Sequence, residues 1–113
     1  MTVLTQGIGE GDFELQRYGD CRIGVNWKED LGGYYAPKDF SGWSFKLILD
    51  DEFGDQVYET TCTTASSGDV WGDIPASVLS DDTFDYCTRG RWRIVGKSGG
   101  KTELVGHGNY RVC

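Results

Sequence analysis

The residues that could do chemistry in this chain are one histidine, four cysteines and 18 carboxylates. The histidine, His107, lies between two glycines, and no Gly-x-Ser-x-Gly nucleophile motif occurs in the sequence. A catalytic histidine needs a nucleophile and an orienting acid within hydrogen-bond reach. We therefore predict that His107 has a structural or exposed position at a bulge or strand end, and that the chain is not an enzyme.

The carboxylates concentrate in two short tracts, residues 50–55 and residues 81–85. A glycosidase would need two carboxylates across a cleft, one of them with its pKa raised by burial. A calcium loop would need the EF-hand spacing, and Gly54 and Asp55 occupy the wrong positions for it. Aspartates in turns bond to their own backbone and stay hydrated. We therefore predict solvated turns, no metal and no other cofactor.

The cysteines do not form a metal-ligand pattern, because no Cys-x-x-Cys or Cys-x-x-His pair occurs. Residues 1–10 have neither the basic segment nor the apolar core of a secretory signal, so we expect a reducing compartment, where disulfides are rare. Cys21 is in step with Ile23 and Val25, which favours a buried thiol. We predict free thiols, with one or two disulfides as the alternative. The four cysteines are Cys21, Cys62, Cys87 and Cys113.

The elements that must position these residues follow a period of two. Apolar and polar residues alternate from Cys21 to Trp27 and from Trp43 to Leu49, as half-buried strands require. The 17 glycines and 2 prolines indicate many tight turns between short strands. We predict an all-β fold, an antiparallel β-sandwich (immunoglobulin-like or related) of about seven or eight strands. A closed barrel is the alternative. One short helical turn is predicted near residues 75–80.

We divide the chain into an N-terminal arm, residues 1–10, and a single sandwich domain, residues 11–113. The arm carries one charge and the apolar residues Val3, Leu4 and Ile8, whereas a free tail in water is normally more polar. Such a segment can lie on another protein or add a strand to an exposed sheet edge. We predict that the arm anchors the domain to a partner protein or to a neighbouring copy, and that the domain folds without residues 2–9.

The aromatic residues separate into core and surface candidates. Trp27 and Trp43 are in register with other apolar residues, so we expect them to share one core. Tyr34 and Tyr35 are consecutive in the longest predicted loop, and at least one of them should be exposed. Trp71 is out of phase with its strand neighbours, which directs it to the outer face. Exposed aromatic residues mark contact surfaces or sugar-stacking platforms.

The formal net charge is −7, from 18 acidic and 11 basic side chains. Nucleic acids and anionic membranes are bound through clustered cations, and the longest basic pattern here is the alternation of Arg89, Arg91 and Arg93. No apolar run is long enough for a transmembrane helix. We therefore predict neither a nucleic-acid partner nor a membrane partner.

Several short motifs follow one another along the chain. An Arg-Tyr-Gly-Asp turn at 17–20 leads into a strand that ends in Trp27-Lys28, and an Asp-Phe-Ser-Gly-Trp run begins at Asp39. Ile74-Pro75-Ala76 and a terminal hairpin over residues 91–112 complete the series. Over residues 11–112 the chain resembles small β-sandwich modules of tailed-bacteriophage virion proteins, of the capsid decoration, tail or baseplate accessory type. It departs from them through Tyr18, inserted in the turn, and through its four cysteines.

The resemblance implies a non-enzymatic virion structural protein, made in the host cytoplasm, and no catalytic residue is carried over from it. We expect first a capsid decoration or minor capsid protein that binds the assembled shell, because a small stand-alone domain can tile a shell in many copies. A tail or baseplate accessory protein, which more often carries further domains, is the alternative. Two further hypotheses lie outside this class. The second is a carbohydrate-binding module that contacts host glycans, and the third is a small secreted enzyme.

The partners that the resemblance implies are other virion proteins, either major capsid or tail proteins, and copies of the chain itself. Residues that could make these contacts come from the arm and from the surface aromatics. The predicted partner contacts are Val3, Leu4, Ile8, Tyr34, Tyr35 and Trp71.

Overall fold

The chain forms two β-sheets packed face to face, and the computed structural model describes residues 2–5, 9–84 and 88–113. Alternating burial along the strands explains this arrangement, because each long strand presents one apolar face to the other sheet. Within these residues the strands are β1 (Thr2–Thr5), β2 (Gly9–Glu10), β3 (Phe13–Leu15), β4 (Cys21–Asp30), β5 (Tyr35–Pro37), β6 (Ser44–Asp51), β7 (Gln56–Thr61), β8 (Thr63–Thr64), β9 (Asp69–Ile74), β10 (Arg89–Ser98) and β11 (Lys101–Val112).

One sheet has five strands in the order β1-β4-β9-β8, with β5 also paired to β4. The other has six strands in the order β2-β11-β10-β6-β7, with β3 also paired to β11. The predicted all-β sandwich is therefore confirmed. The strand count exceeds the prediction because several strands are only two to four residues long, too short to show a period of two. The strands β1, β2 and β3 also pair in parallel rather than antiparallel.

The helical turn predicted near residues 75–80 is present as α1, Ala76–Leu79, directly after Pro75. The N–H of Ala76 donates to the Asp20 carboxylate at 2.7 Å, which ties the start of this turn to the β3–β4 connection. A 3-10 turn follows at Asp82–Phe84, and the buried side chains of Leu79 and Phe84 close one end of the core. Among the described residues, no helix is long and apolar enough to cross a membrane.

Two glycines allow the sheets to approach each other closely. A Cβ at Gly72 of β9 would lie 2.6 Å from the Leu47 Cβ in the opposite sheet, and one at Gly106 of β11 would lie 2.7 Å from a Val25 methyl. Real Cβ atoms do not tolerate such distances, so a larger residue at either position would force the sheets apart. The buried layer between the sheets consists of Phe13, Leu15, Ile23, Val25, Trp27, Phe45, Leu47, Leu49, Val70, Ile74, Leu79, Phe84, Trp92, Ile94, Val105, Tyr110 and Val112.

Trp27 and Trp43 share one core, as predicted. Their ring centroids are 5.4 Å apart in an edge-to-face arrangement, with Trp27 in β4 of the five-stranded sheet and Trp43 directly before β6 of the six-stranded sheet. Phe45 lies stacked against Trp43 at 5.8 Å and edge-on to Trp27 at 6.4 Å. These aromatic contacts join the two sheets at the end of the sandwich where the β4–β5 hairpin leaves it.

The N-terminal segment, which was predicted as an arm outside the sandwich domain, contributes strands to both sheets. Thr2–Thr5 pairs in parallel with Gly24–Trp27 of β4, and Gly9–Glu10 pairs in parallel with Gly106–His107 of β11. The segment thus contributes one short strand to each sheet of its own chain, because the open edges of β4 and β11 offer it backbone donors and acceptors. Val3 and Leu4 lie opposite Val25 and Asn26 in this pairing, which engages one edge of the segment within the chain. Their contact with a partner stays a prediction. Ile8 lies outside the described residues.

The opposite side of the sandwich is closed in the same way. Gln56–Thr61 belongs to the six-stranded sheet, and Thr63–Thr64 directly after it belongs to the five-stranded sheet. The change of sheet occurs at Cys62, whose N–H donates to the Phe45 carbonyl at 2.9 Å. A continuous segment therefore ties the two sheets together along this edge.

We expect Trp27→Ala to lower the free energy of unfolding by about 3–5 kcal/mol, the usual cost of removing a buried aromatic side chain. Trp27 is only 7% exposed and contacts three other aromatic rings. Trp71→Ala is the matched control, since Trp71 lies half-buried on the outer face, and it should cost clearly less. Urea unfolding of both variants measures the difference, and an equal loss would contradict the assignment of Trp27 to the core.

We expect removal of residues 2–5 to destabilise the domain, in contrast to the sequence-based prediction, because it uncovers backbone groups along Gly24–Trp27. Amide hydrogen exchange of Gly24 and Asn26, whose N–H groups face β1, should become faster. Exchange of Trp27, whose N–H donates to the Gly68 carbonyl at 2.7 Å, and of β10, which is paired on both sides by β6 and β11, should change little. Unchanged exchange at Gly24 and Asn26 would contradict the pairing of residues 2–5 with β4.

Candidate functional site

One carboxylate in each acidic tract accepts hydrogen bonds from the backbone of its own turn. Asp51 accepts hydrogen bonds from the N–H groups of Phe53 at 2.8 Å and Asp55 at 3.0 Å. Asp81 accepts one from the Thr83 N–H at 3.0 Å, and this bond lowers the pKa of Asp81. These geometries match the predicted solvated turns. Asp50 differs from these residues, because it is buried and forms an ion pair with Arg93 of the neighbouring strand β10. Its charge is therefore neutralised within the sheet.

His107 lies half-buried in β11, directly opposite Arg93 of β10. The bulge in this hairpin falls at Val105, because Ile94 pairs with Gly106 while Val95 pairs with Leu104. The irregularity therefore precedes the Gly-His-Gly tract in which it was predicted. Within the part of the chain that the structure describes, no group of three or more His, Cys, Asp or Glu side chains could hold a metal ion.

Three cysteines, Cys21, Cys62 and Cys113, are free thiols, and Cys87 lies outside the described residues. Burial raises the pKa of the Cys62 thiol to about 12, and the nearby negative charge of Asp73 adds to the effect. Cys21 is half-buried rather than buried, with its sulfur 3.6 Å from the Gly19 carbonyl oxygen. These thiols fit a packing role.

The β4–β5 hairpin exposes Tyr34 and Tyr35, the two loop tyrosines singled out in the sequence, together with Leu31. We call Leu31, Tyr34 and Tyr35 the hairpin tip. Tyr34 is 62% exposed and Tyr35 is 60% exposed, so both tyrosines face solvent where at least one was expected. The Leu31 N–H donates to the Tyr34 carbonyl at 2.9 Å, and Gly32 and Gly33 between them have φ values of +82° and +109°. Glycine is the residue that adopts such angles without strain.

A set of charged and aromatic contacts holds the base of this hairpin. The Lys38 ammonium lies 5.2 Å from the ring centroid of Trp27 and 5.6 Å from that of Trp43. The same ammonium pairs with the Glu29 carboxylate at 2.6 Å, and the Lys38 N–H donates to the Trp27 carbonyl at 3.0 Å. The tip therefore projects from a base that is bonded to the core, which suits a contact surface that must keep its shape.

Trp71 occupies a different place on the molecule. It lies half-buried on the outer face of the five-stranded sheet, opposite Gly24, with the Arg22 guanidinium 4.9 Å above its ring. Tyr35 lies opposite Asp30, six residues further along β4, which corresponds to about 20 Å. The structure thus separates Trp71 from the hairpin tip, and the three aromatics do not form one sugar-stacking platform.

The structure also reveals a groove that the sequence did not indicate. It crosses the outer side of the six-stranded sheet at the end where β10 begins, and Arg89, Arg91, Arg111, Glu14 and Glu52 line it together with Asp12 and Asn109. A second depression shares Arg91 and Glu52 and adds Phe53, Leu104 and His107. The sequence offers one clue to this second depression: Phe53 is the only aromatic or aliphatic residue within residues 50–56.

No protein-family model and no curated protein matches the chain. Among solved structures, the chain is similar to the N-terminal domain of phage TP901-1 ORF48, with a TM-score of 0.60, 16% identity, and coverage of 98% of this chain and 93% of that chain. This similarity shows a common fold over nearly the whole length. The catalytic module of the pneumococcal glycogen-degrading factor SpuA gives a TM-score of 0.49, 11% identity, and coverage of 78% of this chain and 11% of that chain; so partial a match carries no argument.

We expect Cys62 to react with iodoacetamide at pH 8 far more slowly in the native protein than in urea. A pKa of about 12 instead of 9 reduces the thiolate fraction roughly a thousandfold. Unfolding restores the ordinary pKa, so the stability contributed by the protonated thiol is lost as the pH rises from 9 toward 12. Peptide mapping of the label gives the rate, and equal native and unfolded rates would contradict the burial of this thiol.

Proposed function

We propose that this chain is a non-enzymatic structural module of a tailed-phage virion. The observation that carries the proposal is the full-length similarity of its fold to a phage protein domain, at 98% and 93% coverage. The order of short motifs along residues 11–112 supports the same class independently of the fold. A contact role also suits the chemistry of the described residues, whose turn carboxylates bond to their own backbone rather than facing each other across a cleft.

Within the virion, we propose a tail or baseplate accessory role before a capsid decoration role. The sequence placed decoration first because a small stand-alone domain can tile a shell. The similar phage domain, however, is by its description the N-terminal domain of its protein, so this fold also occurs as one part of a longer phage chain. Tail and baseplate proteins are expected to combine such a domain with further domains. The small size of this chain therefore no longer favours capsid decoration.

The hairpin tip is the contact that we propose for a virion partner. Tyrosine side chains provide large contact area at a low cost in conformational entropy, and they are enriched among the residues that dominate binding energy. Leu31, Tyr34 and Tyr35 are exposed together on a hairpin whose base is bonded to the core. Host glycan binding is the competing use of exposed tyrosines, and Trp71, being distant from the tip, does not add to it.

We expect the double substitution Tyr34→Ser and Tyr35→Ser to reduce the number of copies per virion sharply without changing the melting temperature. Truncating an aromatic anchor costs about 2 kcal/mol or more of binding free energy. Tyr18→Ser is the matched control, since Tyr18 is 79% exposed but lies in the β3–β4 turn. Quantitative mass spectrometry of purified virions measures the copy number.

Separation of heads from tails then assigns the location. Recovery with tails supports the accessory role, recovery with heads supports decoration, and absence from both would refute the virion proposal. A glycan array with the purified chain tests the competing use, because glycan binding that the tyrosine substitutions abolish would favour a carbohydrate-binding module.

A further inference from the structure

Two arginines lie opposite each other in the groove at the start of β10, and only one of them forms an ion pair among the described residues. Arg89 of β10 lies directly opposite Arg111 of β11, and like charges placed opposite each other destabilise a sheet. Arg111 has an acidic neighbour, Glu14, at 3.4 Å. Among the described residues, neither Arg89 nor Arg91 takes part in an ion pair. Arg89 and Arg91 therefore carry positive charges that no acidic side chain among the described residues neutralises in an ion pair.

An acidic and an apolar group lie beside these arginines. Glu52 lines the same groove as Arg89 and Arg91 without an ion pair among the described residues. The next residue, Phe53, is 82% exposed, the largest value among the large apolar side chains that the structure describes. Leu104, 39% exposed, borders the adjoining depression. Basic, acidic and apolar groups thus occur side by side on one face of the sheet.

We propose that this face binds a second copy of the chain in a twofold arrangement. In such an interface the same patch faces itself, so residue i of one copy contacts residue j of the other, and the reverse contact follows by symmetry. Glu52 of each copy then pairs with Arg91 of the other, while Phe53 of each copy enters the depression beside the other's Leu104. This inference does not depend on the virion assignment, because it concerns the purified chain alone.

Charge complementarity favours a second copy over an unrelated acidic partner. Each chain has a formal net charge of −7, so two copies repel each other at long range unless oppositely charged groups face each other locally. The groove supplies both signs within one patch, as self-recognition requires. A purely anionic partner would be attracted to Arg89 and Arg91 but repelled by Glu52 and Glu14.

The test uses charge reversal with reciprocal rescue, measured by sedimentation velocity of the purified chain. Wild type should be dimeric at about 100 μM, a concentration that saturates an interface of micromolar affinity. Arg91→Glu and Glu52→Arg should each weaken dimerisation by about tenfold or more, since each places like charges opposite each other twice. An equimolar mixture of the two variants should recover association, because both contacts in the mixed dimer again join opposite charges.

Lys97→Glu is the matched control, since it makes the same charge change at an exposed position further along β10. It should leave the dimer unaffected, and Phe53→Ser should weaken the dimer without any change of charge. Circular dichroism melting curves establish that each variant is folded. A monomeric wild type, an equal effect of Lys97→Glu, or a mixture that fails to associate would each overturn the proposal.

Discussion

The contact between Trp27 and the aromatic rings of the opposite sheet is the interaction on which most of this structure depends. Trp27 meets Trp43 and Phe45 at 5.4 Å and 6.4 Å, so a single side chain of β4 joins the two sheets at one end of the core. The same ring lies beneath the Lys38 ammonium, which fixes the return strand of the β4–β5 hairpin. The packing of the core and the presentation of the hairpin tip therefore have one origin, and a change at Trp27 would affect both.

The second constraint is the closure of the sandwich at its sides. On one side Thr2–Thr5 belongs to the five-stranded sheet, and Gly9–Glu10 and Phe13–Leu15 belong to the six-stranded sheet. On the other side residues 56–64 pass from the six-stranded to the five-stranded sheet. Exposed strand edges invite pairing with other chains, and covering much of the edges of β4 and β11 within the chain reduces that tendency. The contacts that we propose lie at the hairpin tip and on the outer face of the six-stranded sheet, where side chains rather than backbone groups would determine specificity.

The sequence predicted the parts of the fold that a local pattern can encode. Alternation along Cys21–Trp27 and Trp43–Leu49 identified β4 and β6 because each strand buries only one face. The phase of Trp71 placed it correctly on the outer face for the same reason. The short strand β1 was interpreted as an arm, since parallel pairing to β4 depends on an edge that only the tertiary structure creates. The groove was missed because its residues come from separate segments, and each one alone resembles an ordinary hydrated charge.

The net charge and the groove act at different distances. Salt screens exposed charges beyond about 8–10 Å, so the net charge of −7 opposes the approach of a second copy mainly within that distance. At contact, only neighbouring groups matter. Arg111 has Glu14 beside it, whereas Arg89 and Arg91 form no ion pair among the described residues and can gain from an acidic side chain of a partner. Association between copies then depends on the local match of these charges and of the exposed Phe53. The twofold contact that we propose would supply this match, because it places acidic groups of one copy against the arginines of the other.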